Sequence, residues 1–128
     1  MNLGLLLAVG TGGFFGAVLR LLISTWVQQR FITAGFPYGT LTVNIIGSFL
    51  MGFLFMYFSH INLNIHQKLI FTTGLLGALT TFSTFSMETI ILLKEEEYIR
   101  AVLNIFLNVT LSMVATFIGI LIFKFTYK

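Results

Sequence analysis

Four predominantly apolar runs, residues 3–27, 39–59, 69–93 and 99–125, occupy most of a 128-residue chain and leave only short connections between them. Each run is long enough to cross a hydrocarbon core of about 30 Å as an α-helix. Charged residues make up 9% of the chain, against a usual figure of roughly 25%, while hydrophobic residues reach 57%. So few charges cannot cover so apolar a surface in water, and lipid becomes the solvent for most of it. The expected fold class is an all-α membrane protein, one domain over residues 1–128, with four transmembrane helices in the cell inner (plasma) membrane. The first run follows Met1-Asn2 without a positive n-region and outlasts a signal-peptide h-region, so it reads as a retained span.

Several function classes drop out. Cysteine is absent, which removes disulfides, thiolate metal sites and Cys nucleophiles. His60 and His66 flank a single connection and are too isolated for a metal site. The net charge of +3 comes from scattered bases without a patch, which speaks against a nucleic-acid partner. Glu95, Glu96 and Glu97 read as a solvated loop. No connection is long enough to hold a soluble domain, and no nucleophile–base pair stands out, so the chain is not expected to be an enzyme. Function must lie inside the membrane.

Four spans put both termini on one side. Lys68, Lys124 and Lys128 then flank the terminal side, and Arg30, Lys94 and Arg100 the other. A balanced count gives the positive-inside rule nothing to act on. This points to insertion in both directions and to an antiparallel, dual-topology homodimer, a geometry that brings half-helices head to head near the midplane.

Ionisable groups at membrane depth are costly and mark a pathway or a partner. Arg20 lies within the first span, where it either snorkels to the interface or serves as a cation that gathers anions. Glu88 lies on the later half of the third span, either as a carboxylate satisfied by hydroxyls or as part of a route. On the fourth span Asn104, Asn108, Ser112 and Thr116 recur at every fourth position and so share one helical face. That line either ties helices together or borders an ion path. Asn44, carried into the second span behind Pro37, needs a protein or ligand partner for its amide. Small residues at Gly10, Gly12, Gly13, Gly16, Gly47, Ser48 and Gly52 favour close helix packing and a dimer seam.

The third span is the most unusual. Gly74, Gly77 and the β-branched pair Thr80-Thr81 weaken a helix, so a break is expected there. Broken backbone at membrane depth survives only when buried in protein or lining a cavity. Its carbonyls suit a hard cation and its helix N-termini an anion. Phe82 and Phe85 follow, three apart on neighbouring positions of one face. They either pack, or present positive ring edges to an anion beside the hydroxyls of Ser83, Thr84 and Ser86.

With GTLTVN at Gly39–Asn44, TTFSTFS at Thr80–Ser86 followed by Glu88, and G-x-x-G-A-V-L-R at Gly13–Arg20, the chain resembles the fluoride channel family known as Fluc or CrcB over all four spans. The resemblance implies a dual-topology antiparallel homodimer with two pores, passive fluoride export that reduces fluoride toxicity, and a structural sodium ion (Na+) at the dimer centre. It implies sodium ligation by the carbonyls of Gly77 and Thr80. It also implies a fluoride pathway of Arg20, Asn44, Phe82, Ser83, Thr84, Phe85, Glu88, Asn108, Ser112 and Thr116. Ala78 stands where the family often has a second glycine, and Asn104 where some relatives carry an aromatic hydroxyl residue. Two other classes compete. A small four-helix multidrug exporter needs a carboxylate in the first span, where this chain has Arg20; a structural membrane subunit would use the polar positions only to tie helices.

Overall fold

The computed structural model describes residues 1–128, and they form helices throughout. Helix α1 runs Leu3–Arg30, α2 Tyr38–His60, α3 residues 65–79, α4 Phe82–Lys94 and α5 Tyr98–Thr126. Helices α3 and α4 together make the third of four helical segments long and apolar enough to cross a membrane. Each segment overshoots the expected apolar run by a few residues, because polar ends such as Gln28-Gln29-Arg30 continue the helix into the headgroup region. Leu, Ile, Val and Phe dominate the large apolar side chains exposed on the outward surface, as lipid contact requires.

Local chemistry sets the ends. The Asn2 side chain caps α1 by accepting from the Leu5 N–H (2.8 Å). Asn64 and Gln67 cap α3 reciprocally, each side chain taking the other's backbone N–H. Between α1 and α2 the chain passes through a 3-10 turn at Ile32–Ala34 and reverses at Gly35, whose φ of 65° lies in the left-handed region. The Gln28 side chain holds this turn, donating to the Phe36 carbonyl and accepting from the Gly39 N–H, both at 3.0 Å. Gly35→Ala is expected to cost about 1–2 kcal/mol for the left-handed backbone alone. A Cβ there would also stand 2.7 Å from Arg100 Nη1. A lower melting temperature in detergent checks this, and an unchanged one would count against it.

Glycines decide how the helices meet. A Cβ on Gly12 or Gly16 of α1 would overlap the Ile70 or Leu75 carbonyl of α3, and one on Gly74 would stand 2.7 Å from the Val9 carbonyl. Along this contact α3 widens into a π-helical stretch at Ile70–Leu76 before ending in Gly77–Leu79. Gly74, inside that stretch, also lets α1 approach closely. The most extensive packing, α2 on α5, relies on the same device: Gly52 lies on the Thr116 backbone and Gly119 on the Phe49 backbone. Gly10 and Gly13 face open space. Both termini gather at one end of the bundle, with the His60 ring 5.5 Å from that of Tyr127 and Gly4 beside the His66 imidazole.

Candidate functional site

The third span breaks within the expected Gly74–Thr81 stretch, at Thr80-Thr81. Thr80 and Thr81 leave the helix with extended backbones, φ/ψ −85°/157° and −150°/124°. Thr81 then caps α4, its hydroxyl accepting from the Thr84 N–H (3.2 Å). Asn44 of α2 clamps the break: its Oδ1 accepts from the Thr81 N–H (2.8 Å) and its Nδ2 donates to the Thr81 carbonyl (3.2 Å). A polar side chain carried into lipid depth thereby replaces the backbone partners that the break removes.

The second N–H of Asn44 donates to Asn108 Oδ1 (2.9 Å). Asn108 Nδ2 donates to both Asn104 oxygens, Oδ1 and the backbone carbonyl, each at 2.9 Å. Asn104, fully buried at 0% exposure, donates from Nδ2 to Thr89 Oγ1 (2.9 Å), and the Thr89 hydroxyl donates to the Phe85 carbonyl (2.8 Å). The upper half of the α5 polar line therefore ties helices. Thr116 does likewise, donating to the backbone carbonyls of Ser48 and Ser112 (3.1 Å each).

Beside the clamp lies a cavity of about 260 Å³ without a single ionisable group in its wall. It brings together Asn44, Phe82, Phe85, Asn108 and Ser112 of the expected path, and adds Ser48, Thr80 and Thr81. The Phe82 and Phe85 rings meet edge to face, centroids 5.3 Å apart at 69°. Phe85 is buried (7% exposed), whereas Phe82 stands 76% exposed on the single protomer. The side-chain hydroxyls of Ser48 and Ser112 have no hydrogen-bond partner within the chain, so both remain free to donate into the cavity. Ser48 escapes a reading of the sequence as a small packing residue. Its place four positions after Asn44, on the same helical face, is the signal that finds it.

Arg20 and Thr84 line a second cavity of about 380 Å³, together with Ser24, Thr40 and Thr81. Half-buried and without an ion pair, Arg20 presents its charge to this space. A third cavity of about 430 Å³ holds Glu88 and opens toward Gln28 and Glu95. There Glu88 Oε1 accepts from the Thr40 hydroxyl, a partner on α2 that sequence spacing does not reveal. The expected path residues are thus divided: the first two cavities share Thr81, and the last two share Ser24 and Thr40. Ser83 lines none of them; it is exposed, with its hydroxyl 3.4 Å from that of Thr81.

The Gly77 and Thr80 carbonyls accept none of the hydrogen bonds that cross the break. Gly77 is exposed, with no atom within 3.6 Å of where its Cβ would stand, and Thr80 is half-buried.

Four spans, a helix broken at membrane depth and an uncharged polar cavity beside it define a membrane protein with polar groups gathered inside its helical bundle. Residues 7–120 match the family described as CrcB-like protein, Camphor Resistance (CrcB), and the chain belongs to that family. It is 55% identical over 128 residues to the fluoride-specific ion channel FluC of Nitratiruptor sp., covering 99% of this chain and 98% of the relative. To the FluC of Sulfurovum sp. it is 57% identical over 123 residues, 96% of each chain. To that of Campylobacter lari it is 52% identical over 122 residues, 95% of this chain and 99% of the relative.

Proposed function

We propose that this chain forms a fluoride-selective channel that lets cytoplasmic fluoride leave the cell passively. The carrying observation is the roughly 260 Å³ cavity of ring edges, free hydroxyls and committed amides, with no ionisable wall group, in a chain so similar to fluoride-specific channels. Fluoride holds its water strongly, so a path must offer donors in series without holding the ion so tightly that exit fails. Ser48 and Ser112 supply hydroxyls, and Phe82 and Phe85 supply positive ring edges. Arg20 gathers anions in the adjoining cavity, where Thr84 adds a hydroxyl, with Ser83 beside the break. Glu88, Asn108 and Thr116 border the route and hold its walls.

Residues 1–128 act as one four-span domain, and the working unit is an antiparallel homodimer. Support comes from the three-against-three flanking charges and from exposed polar surface at membrane depth. Gly77, Ser83 and Thr84 lie exposed around the break, beside the bare Phe82 ring, and lipid cannot satisfy their polar groups. A second copy turned end over end would cover them. The Gly77 and Thr80 carbonyls, doubled by the partner's, fit a hard cation, and sodium held there would bridge the two breaks. The exporter reading lacks its acid in α1, where Arg20 stands.

Phe82→Ile and Phe85→Ile each keep apolar bulk and remove the ring edge. Either is expected to cut fluoride efflux from liposomes by about a hundredfold while the dimer peak in gel filtration stays in place. Efflux at the unaltered rate in both variants would remove the ring-edge account.

A further inference from the structure

Resting on the channel reading, we propose that Asn104 and Thr89 are positioning residues for the ion path, holding the Asn108 amide turned away from the passing anion. Neither side chain lines the 260 Å³ cavity, yet together they join its two walls. Asn104 sits one helical turn before Asn108 on α5, and Thr89 one turn after Phe85 on α4. The bond between them, Asn104 Nδ2 to Thr89 Oγ1, therefore ties the helix carrying the amide to the helix carrying the buried ring.

The direction of every hydrogen bond in this chain of groups is determined by its ends. The Thr81 N–H can only donate, so Asn44 must turn Oδ1 toward it and Nδ2 toward Asn108. Asn108 must then offer Oδ1 to Asn44 and turn its NH2 onto the Asn104 oxygens. Asn104 is left donating to Thr89, whose hydroxyl in turn donates to the Phe85 carbonyl, a group that can only accept. No member can flip without leaving two like groups facing each other.

A consequence follows for the path. All four amide N–H groups of Asn44 and Asn108 are spent on protein acceptors, so the anion meets hydroxyls and ring edges rather than amides. Releasing Asn108 would swing its NH2 into the cavity and create a tighter anion site. Tighter holding slows exit.

The test measures fluoride efflux from liposomes against fluoride concentration for Thr89→Val, Thr89→Ser and Asn104→Leu. Thr89→Val removes the hydroxyl at nearly equal volume, and is expected to lower the maximal rate by about tenfold, the worth of one net hydrogen bond. The half-saturating fluoride concentration falls with it. Thr89→Ser keeps the hydroxyl and restores both parameters. Asn104→Leu shows the same paired change, and combining it with Thr89→Val adds nothing further. A Thr89→Val channel with unaltered rate and half-saturation overturns the proposal. So does an equal defect in Thr89→Ser, which would assign the role to packing. If the unaltered protein passes no fluoride, the channel reading falls and this proposal with it.

Discussion

Asn44→Asp is expected to abolish fluoride passage. Asn44 is the hinge between the break and the cavity: its two N–H groups face the Thr81 carbonyl and Asn108 Oδ1, and its oxygen faces the Thr81 N–H. Aspartate keeps the shape and replaces the donors with an acceptor, leaving two oxygens opposite a third. Each part-buried acceptor so deprived costs about 1–3 kcal/mol. The larger effect is on the ion. A carboxylate in the cavity wall repels fluoride at about 4 Å by roughly 4 kcal/mol at an effective dielectric of about 20, about a thousandfold in rate. Efflux followed with a fluoride electrode measures this; a rate within tenfold of the unaltered protein would place Asn44 outside the path.

Gly12→Val is expected to disrupt assembly rather than conduction. The Cβ site of Gly12 is occupied by the Ile70 carbonyl and lies 2.9 Å from the Leu75 nitrogen, so the obstacle is backbone and cannot swing aside. Valine would force α1 from α3 at a cost of about 3 kcal/mol or more. The π-helical stretch Ile70–Leu76 and the break that follows would shift with it. Loss of the folded peak on gel filtration is the expected readout. Gly10→Ala, on the open side of the same helix, is expected to leave the melting temperature unchanged or raised, since alanine is the better helix former. Equal tolerance of both substitutions would contradict the packing described.

The four spans were legible because membrane insertion is a matter of composition, and composition is local. A break within Gly74–Thr81 was legible because glycine and β-branching act locally too. The π-helical stretch of α3 was not; it packs against Gly12 and Gly16 of another helix, a contact that local sequence does not reveal. The every-fourth spacing of Asn104, Asn108, Ser112 and Thr116 identifies a face without naming its partner. In the structure only Asn108 and Ser112 reach the cavity, while Asn104 and Thr116 are spent on neighbouring helices. Thr40 and Thr89 carry no sequence signal beyond a hydroxyl. Their roles arise from contacts 48 and 15 residues away in the chain, with Glu88 and Asn104.

The central claim is that this chain, alone, passes fluoride and little else. Purified protein in liposomes loaded with potassium fluoride or potassium chloride, released by a potassium ionophore, tests it without any cellular partner. Rapid fluoride efflux, retention of chloride, and no dependence on a pH gradient are expected. Fluoride retained as in protein-free vesicles, or chloride leaving as fast as fluoride, would contradict it.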